Sequence, residues 1–430
     1  MFQPELETLP RPQLKALQDE RLRHLVAYLY ERVPFYRQRF QERGLSPERI
    51  QRTEDLLQLP FTRKQDLRDH YPLGLLAVPK EELARIHASS GTTGKPTIAP
   101  YTRRDLEVFA EVVARSLAAG GAKPGMLLHN AYGYGLFTGG LGLHGGAERL
   151  GLCVIPASGG VTERQLLLIN DLKPEILACT PSYAQTLAEG LARQGLEPEA
   201  ISLKYAILGA EPWSETLRAS IESGLGVKAT NIYGLSEVIG PGIAQECLER
   251  QGSHLWEDHF VAEIVDPERG EPLPPGATGV LVLTPLTKTG MPLLRYWTGD
   301  LTYLIEEPCA CGRTHRRIGP ILGRTDDMLI VRGVNLYPSQ LEELLKEFPE
   351  VAPFYQIVLR RPKTLDELEL KVELKPSATS IDPQGLAERI VEKVRQRLGL
   401  TMQVSLLAPG QAPRSEGGKL RRILDERGKL

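Results

Sequence analysis

The feature that most constrains the fold is a regular alternation of helix-like and strand-like segments between Tyr101 and Tyr233. Short apolar strings such as MLLHNA, EILACT and YAILGA are separated by segments whose apolar residues have helical spacing. This alternation predicts βα units around a largely parallel sheet. Ligands bind such sheets at the carboxyl ends of the strands, where the connecting loops gather. We therefore expect functional residues in four strand-end loops, AYGYGLFTGG, TPSY, GAEPW and NIYGLSE.

The length and charge of the chain narrow its class. A chain of 430 residues exceeds one ordinary core, so we expect two domains. A formal net charge of -2 gives no reason to expect nucleic acid as a partner. No apolar run reaches the ~20 residues of a membrane span, and MFQPELETLP lacks the pattern of a secretory signal. Five cysteines do not suggest a disulfide framework, and these features together indicate a cytoplasmic enzyme.

The segments that flank the alternating region differ from it. Apolar residues at helical spacing predict two helices over residues 11–45, separated at Pro34. Phe260–Glu306 has the turn strings of β-hairpins. A smaller α+β unit follows, with helices near Pro338–Phe348 and Leu386–Leu398. We place the boundary near Asp326, which gives domains of residues 1–325 and 326–430.

A glycine- and hydroxyl-rich loop, HASSGTTGKPT, is the strongest candidate for binding phosphate. Gly91 and Gly94 allow main-chain N–H groups to turn towards an anion, and Lys95 adds a positive charge. The hydroxyl donors are Ser89, Ser90, Thr92 and Thr93. The string differs from a P-loop because serine stands at the first glycine position and Pro96 follows the lysine. The alternative is a flexible linker.

The string SSGTTGKPT resembles the phosphate loop of the acyl-adenylate-forming superfamily. Further strings of that superfamily follow in the expected order: GAEPW (209–213), NIYGLSE (231–237), YWTGD (296–300), GRTDDMLIVRG (323–333) and SEGGKLRRIL (415–424). The variants GAEPW and NIYGLSE, with RGVNLYPSQLEELL and ERVPFYRQRF, are similar to the phenylacetate–CoA ligases within it. The resemblance covers essentially the whole chain.

The resemblance implies a fold and a reaction. The fold is α/β: a large N-terminal domain with parallel-rich sheets and a β-hairpin subdomain, and a small mobile α+β C-terminal domain. The reaction is an ATP-dependent activation of phenylacetate, or a close aryl acid, to an acyl-adenylate and then to its CoA thioester. The implied partners are the acid, ATP with magnesium, and CoA, with no membrane and no nucleic acid. A homodimer is implied by resemblance only.

The same resemblance assigns roles to individual residues. The loop from Ser89 to Lys95 holds the β- and γ-phosphates, and Glu237 binds magnesium. Lys419 bridges the α-phosphate and the carboxylate during adenylation. Asp326 is the hinge about which the C-terminal domain rotates between the two steps. The residues expected around the adenine and the ribose are Gly209, Ala210, Glu211, Asn231, Tyr233, Gly234, Asp300 and Arg324.

The acid pocket is predicted among the strand-end loops. Aromatic walls beside glycines leave room for a flat ring, which Tyr132, Phe137 and Gly139 in AYGYGLFTGG provide. The other predicted members are Ala210, Ile232, Gly234, Ile239 and Pro241. The alternative is that these apolar positions belong to the core.

The cysteines suggest a metal site separate from the catalytic residues. Two pairs, Cys309 with Cys311 and Cys247 with His254, offer the four N/S ligands of a structural zinc. His315 and His259 are possible substitute ligands, and the ion is expected to pin the hairpin region against the domain boundary. Cys153 and Cys179 occur in apolar strands and are predicted to be buried thiols.

Two further hypotheses remain open at this stage. One is an adenylyltransferase that acts on another carboxylate or cofactor and forms no thioester. The other is a zinc-stabilised nucleotide-binding protein without activity. Consumption of CoA separates the ligase from the first, and turnover of ATP to AMP separates it from the second.

Overall fold

A computed structural model of the protein describes residues 1–89, 96–325, 329–331, 334–336, 338–361, 366–378, 382–415, 420 and 422–427. Its buried apolar side chains separate along the chain. Two large clusters contain only residues up to Ile318, and a third runs from Leu329 to Met402. This separation is compatible with the predicted boundary, although Asp326 itself lies outside the described residues.

Helices open the chain: α1 (Pro4–Glu7), α2 (Arg11–Arg32), α3 (Pro34–Glu42) and α4 (Lys64–Asp69). Pro34 is the first residue of α3, a position where proline loses no hydrogen bond, so the predicted break is confirmed. The buried apolar residues of α2 are Leu14, Leu22, Leu25, Val26 and Leu29. Among the described residues, none of the helices has the length and apolar character to span a bilayer.

The alternating region contains the predicted βα units. In chain order its elements are β1 (Leu83–Ser89), β2 (Thr97–Thr102), α5 (Arg103–Ala119), β3 (Leu127–Asn130), α6 (Thr138–Leu150), β4 (Cys153–Ile155), α7 (Thr162–Leu172), β5 (Ile176–Cys179), α8 (Pro181–Arg193), β6 (Tyr205–Gly209), α9 (Glu215–Leu225) and β7 (Lys228–Leu235). Strands β1 and β2 form an antiparallel pair. Strands β4, β3, β5, β6 and β7 lie side by side and are parallel, which confirms the predicted sheet.

The strands that follow divide between two sheets. They are β8 (Gly240–Glu246), β9 (Ser253–Leu255), β10 (Phe260–Val265), β11 (Gly279–Pro285), β12 (Tyr296–Thr302), β13 (Leu304–Ile305), β14 (Arg317–Ile318) and β15 (Gly323–Arg324). Strands β8, β9, β14 and β13 extend the parallel sheet antiparallel, giving nine strands among the described residues. Strands β10, β11, β12 and β15 form a separate antiparallel sheet, which is the predicted hairpin subdomain.

Two sequence predictions fail here. The metal site was expected to pin the hairpin region, but the Cys309–His315 segment lies between β13 and β14, at the edge of the nine-stranded sheet. Cys153 is exposed because β4 is the last strand of that sheet, whereas Cys179 on the interior strand β5 is buried as predicted. An apolar string alone does not distinguish an edge strand from an interior one.

The C-terminal unit contains β16 (Leu329–Val331), β17 (Val334–Leu336), α10 (Pro338–Leu345), β18 (Val351–Arg360), β19 (Glu367–Leu374), α11 (Pro383–Leu398), β20 (Gln403–Leu407) and β21 (Ile423–Asp425). Strands β16 and β17 pair with each other, and the other four form a mixed sheet in the order β20–β19–β18–β21. Both predicted helices are present, and the unit is α+β as expected.

Candidate active site

The carboxylate of Glu237 lies at the start of the predicted phosphate loop. Ser89, the last residue of β1, donates from Oγ to Glu237 Oε1 at 3.2 Å. Glu237 follows β7 and is almost fully buried. The rest of the predicted loop, Ser90, Gly91, Thr92, Thr93, Gly94 and Lys95, lies outside the described residues. The structure thus brings the predicted magnesium ligand to the first residue of that loop.

Two buried side chains, which the sequence did not single out, hold the segment around Glu237. The hydroxyl of Tyr101 lies 3.0 Å from the main-chain oxygen of Ile239 and 3.3 Å from that of Ser236. Lys288 donates from Nζ to the main-chain oxygen of Glu237 at 3.2 Å. Burial lowers the pKa of Lys288 to about 8. No sequence signal marked this lysine, because it belongs to a string typical of turns, KTGM.

Tyr233, Asp300 and Arg324 form one connected group. Tyr233 donates from its hydroxyl to Asp300 Oδ2 at 2.6 Å, and Arg324 donates to the other carboxylate oxygen. Asp300 and Arg324 face each other in register between β12 and β15. Burial and the neighbouring Asp300 charge raise the pKa of Tyr233 well above its usual value. Donors from two sheets therefore fix the carboxylate predicted to bind the ribose.

The GAEPW turn brings two strands unusually close together. A Cβ atom at Gly209 would lie 2.1 Å from the main-chain oxygen of Ile232, so only glycine fits there. Ala210 has a φ of 74°, a left-handed conformation that is uncommon for a residue with a side chain. Gly234 is equally restricted, since its Cβ would lie 1.9 Å from the oxygen of Gly240. At both glycines, the main chains of neighbouring strands therefore approach too closely for a side chain to fit between them.

The side chain of Glu211 links two distant segments. Its Oε1 accepts from the Ser182 N–H at 2.7 Å, and its Oε2 accepts from the Leu420 N–H at 3.0 Å. The sequence predicted a role for the Glu211 main chain and missed this contact, since nothing in GAEPW indicates a partner 209 positions away. Asn231 Oδ1 accepts from Trp213 Nε1 at 3.0 Å.

The predicted acid-pocket residues divide into buried and exposed ones. Tyr132, Ile232 and Ile239 are buried. The Tyr132 ring packs against Gly139, where a Cβ atom would lie 3.3 Å from it. Phe137 directly precedes α6 and is 55% exposed, so its place in an aromatic wall stays a prediction. The remaining predicted members, Ala210, Gly234 and Pro241, lie on or beside β6, β7 and β8.

Cys247, His254, Cys309 and Cys311 converge at the antiparallel edge of the large sheet. Their ligand atoms all lie within 4.8 Å of one another, with Cys247 Sγ 3.6 Å from Cys309 Sγ and Cys311 Sγ 3.3 Å from His254 Nε2. Two sulfurs ~2.3 Å from one tetrahedral zinc lie about 3.8 Å apart, which agrees with this spacing. Hydrogen bonds from Cys247 and His254 lower the pKa of Cys311, which favours its thiolate. The donor set and spacing suit zinc.

The second nitrogen of His254 is also placed as in a ligand histidine. Its Nδ1 lies 3.2 Å from the main-chain oxygen of His315. Histidine ligands commonly donate their second N–H to a carbonyl, which leaves the other nitrogen free for a metal. This contact orients Nε2 towards Cys311.

The two substitute ligands considered from the sequence lie elsewhere. His315 Nδ1 accepts from the Glu257 N–H at 2.8 Å, outside the cysteine cluster. His259 Nε2 lies 3.3 Å from both Glu111 and Asp258, carboxylates that also pair with Arg115 at 2.7 Å. Glu111, Asp258 and His259 are therefore not a comparable metal site, because the buried Arg115 guanidinium already pairs with both carboxylates.

The N-terminus is attached to the segment that carries Cys309 and Cys311. Glu7 is fully buried and accepts from Arg313 Nε at 2.7 Å. Its other oxygen accepts from the N–H groups of Phe2 and Gln3 at 2.7 and 2.8 Å. The Thr314 N–H donates to the main-chain oxygen of Glu7 at 3.1 Å. This junction joins α1 to the loop between β13 and β14.

Comparison with known proteins identifies the family. A model described as AMP-binding enzyme matches residues 13–285, and one described as AMP-binding enzyme C-terminal domain matches residues 333–427. A phenylacetate-coenzyme A ligase of Thermus thermophilus is 65% identical, over 99% of this chain and 100% of its own length. The chain belongs to the phenylacetate-coenzyme A ligase family of AMP-binding enzymes. The sequence resemblance and the fold class are therefore confirmed.

Solved structures of one AMP-forming ligase bear on how the two parts of this family member are arranged. A 2-hydroxyisobutyryl-CoA ligase in the postadenylation state aligns with a TM-score of 0.90 and 30% identity, over 99% of this chain and 92% of that one. The same ligase with CoA, in the thioesterification state, covers the same shares at 31% identity but scores 0.74. Both structures are of the same ligase, so the higher score indicates that the arrangement of this chain is closer to that of the postadenylation structure.

Among the described residues, three contacts join the C-terminal unit of this ligase-family chain to α8 and the GAEPW turn. Arg414 donates to Glu189 at 3.2 and 3.3 Å. Thr186 Oγ1 lies 3.5 Å from the main-chain oxygen of Ser415. The Leu420 contact with Glu211 is the third. Lys419 and Asp326, the predicted adenylation lysine and hinge, lie outside the described residues.

Proposed function

We propose that this protein is an AMP-forming ligase that converts phenylacetate, ATP and CoA to phenylacetyl-CoA, AMP and pyrophosphate. The observation that carries the proposal is 65% identity to a phenylacetate-coenzyme A ligase over essentially the whole of both chains. Two arrangements support it: Glu237 lies beside Ser89, and Tyr233, on the strand that Glu237 follows, bonds to Asp300, which also pairs with Arg324.

The first half-reaction forms the acyl-adenylate. An oxygen of the phenylacetate carboxylate attacks the α-phosphorus of ATP, and the bond to the β-phosphate oxygen breaks to release pyrophosphate. Glu237 would hold the magnesium ion that accompanies ATP and neutralises phosphate charge. Asp300 accepts from the ribose hydroxyls, and the loop from Ser89 to Lys95 binds the phosphates. Lys419 stabilises charge on the reacting groups.

The second half-reaction forms the thioester. The CoA thiolate attacks the carbonyl carbon of the acyl-adenylate, and the bond to the phosphate oxygen breaks to release AMP. CoA supplies its own sulfur, so no protein cysteine takes part. In this step the C-terminal unit rotates about Asp326 and withdraws Lys419. Tyr132, Ile232 and Ile239 provide apolar surface for the aryl group, since all three are buried beside the strand ends.

A screen of acids with and without CoA tests this function. Pyrophosphate release should be largest with phenylacetate and close aryl acids, and CoA should convert the adenylate to thioester and AMP. Preference for medium-chain fatty acids over phenylacetate would contradict the acid assignment. An adenylated product that persists in the presence of CoA would favour the adenylyltransferase hypothesis instead.

We also infer a structural zinc bound by Cys247, His254, Cys309 and Cys311, and their mutual distances support it. Protein purified without added metal should contain about one zinc per chain, and Cys311→Ser should lose it. Cys153→Ser is the matched control, because Cys153 is exposed and outside the cluster. Zinc-free protein with unchanged thermal stability would contradict the assignment.

The homodimer rests on family resemblance alone, and the cytoplasmic location rests on composition and cysteine usage. We infer a homodimer in the cytoplasm. Light scattering coupled to size exclusion should give twice the chain mass of 47.7 kDa. A monomer at micromolar concentration would contradict the dimer.

A further inference from the structure

Lys288 is a buried ammonium beside the candidate active site that the reaction described above does not use. It lies in the turn after β11, and its side chain is among the largest fully buried ones of the described residues. Burying a positive charge is costly unless it is paired and hydrogen-bonded. Within the described part of the chain, its one hydrogen bond is the 3.2 Å contact to the main-chain oxygen of Glu237.

The turn that carries Lys288 is held firmly from its other side. Asp105, at the start of α5, is fully buried and accepts from the Thr289 N–H at 2.6 Å and from the Gly290 N–H at 2.9 Å. The Tyr28 hydroxyl donates to the main-chain oxygen of Thr289 at 3.0 Å. The base of the lysine is thus fixed to the core, and its end reaches Glu237.

An aromatic ring and two nearby carboxylates stabilise the ammonium. Its Nζ lies 4.8 Å from the centre of the Tyr101 ring, an attractive cation–π contact. Burial lowers the pKa of Lys288, while the nearby carboxylates of Asp105 and Glu237 raise it. Glu237 in turn accepts from Ser89. An uninterrupted set of contacts therefore runs from α5 through the lysine to the first residue of the phosphate loop.

We propose that Lys288 is a positioning residue for adenylation: it holds the Glu237 main chain and so aims the Glu237 carboxylate at the magnesium–triphosphate. This inference rests on the proposed function. The lysine acts through Glu237. Its loss should therefore slow adenylation, which uses magnesium, and leave thioester formation unchanged. A role in folding alone would affect both.

The test measures the two half-reactions separately in Lys288→Met, which fills the same volume without the charge. ATP–pyrophosphate exchange with phenylacetate is followed over a range of magnesium concentrations. Loss of a hydrogen bond from a charged donor should slow exchange about tenfold and raise the half-saturating magnesium concentration several-fold. Thioester formation from preformed phenylacetyl-adenylate and CoA should stay within about twofold of the parent enzyme.

Tyr101→Phe is the matched control. It removes the hydroxyl near the Ser236 and Ile239 main-chain oxygens, which flank Glu237, and leaves the Lys288 contact intact. It should lower the melting temperature and shift the magnesium dependence much less than Lys288→Met does, because it does not contact Glu237 itself. If Tyr101→Phe shifts that dependence as much as Lys288→Met does, general anchoring of the segment explains the effect and the specific assignment is overturned.

Lys288→Gln is a second variant for the same test, to be used if Lys288→Met does not fold. Its amide is one bond shorter than the lysine, so it should miss the Glu237 oxygen and shift the magnesium dependence in the same direction. Unchanged magnesium dependence in either folded variant, or equal loss in both half-reactions, overturns the proposal. Failure of the proposed function is distinguishable, because the parent enzyme itself would then form no phenylacetyl-CoA.

Discussion

The large domain holds its share of the candidate active site through buried hydrogen bonds, whereas the C-terminal unit reaches that site through contacts that water can replace. On the large-domain side, Asp300 is 8% exposed and accepts a buried hydrogen bond from Tyr233. On the other side, the Arg414 and Glu189 side chains that join the units are 18% and 28% exposed. The contacts within the large domain are thus less accessible to water than those that join it to the C-terminal unit.

This difference explains how one site can serve two chemically different steps. Ion pairs near the surface contribute about 0–1 kcal/mol each, so parting them costs little. Breaking the Asp300 group would leave buried polar atoms without partners, which costs considerably more. The proposed rotation of the C-terminal unit would change the groups that meet the α-phosphate while the nucleotide stays in place. The variants below test this contrast.

Lys419→Ala should have the largest effect and should affect one half-reaction only. Loss of its charge should slow adenylation by about 3–4 kcal/mol, or roughly two to three powers of ten. Thioester formation from preformed phenylacetyl-adenylate should remain near normal, and the melting temperature should not change. Equal loss in both half-reactions would contradict the proposal that the C-terminal unit withdraws Lys419 after adenylation.

Asp300→Asn should have an intermediate effect on both half-reactions, because the ribose is bound in each. The amide keeps the shape but offers one acceptor oxygen, at a cost of roughly 1.5–3 kcal/mol. We expect about ten- to a hundredfold loss in ATP–pyrophosphate exchange and in thioester formation alike. A selective loss of adenylation would show that Asp300 does not hold the nucleotide in both half-reactions.

Glu211→Gln should have the smallest effect, because it weakens a single contact to Leu420 next to Lys419. A loss of about 1 kcal/mol corresponds to roughly fivefold slower adenylation, with thioester formation unchanged. Glu189→Gln is the control, since it weakens the Arg414 pair farther from Lys419 and should change adenylation less. A larger effect of Glu189→Gln would show that the contact with α8 matters more for adenylation than the contact with the GAEPW turn.

The sequence predicted the parts of this molecule that local patterns determine. The parallel strands follow from the alternation of apolar strings, and the proximity of Glu237 to Ser89 follows because both strings lie at strand ends. The converging cysteines follow from the chemistry of the residue types. The roles of Ser89, Glu237, Asp300 and the cysteine cluster remain predictions until they are measured.

What the sequence missed depends on long-range packing. Lys288 and the Glu211 carboxylate take their partners from remote segments, and a turn string does not reveal which main-chain oxygen a side chain reaches. Cys153 was mispredicted because edge and interior strands have similar composition. The exposure of Phe137 was not predicted, because an aromatic residue before a helix can face either the core or the solvent.

The junction between Glu7 and Arg313 has a consequence for synthesis on the ribosome. The two residues are 306 positions apart, and Arg11 pairs with Glu257 at a similar separation. At 5–20 residues per second, Glu7 is made roughly 15–60 s before Arg313. These two ion pairs cannot form before their later members have been made, so this junction closes late although its first residues are made first.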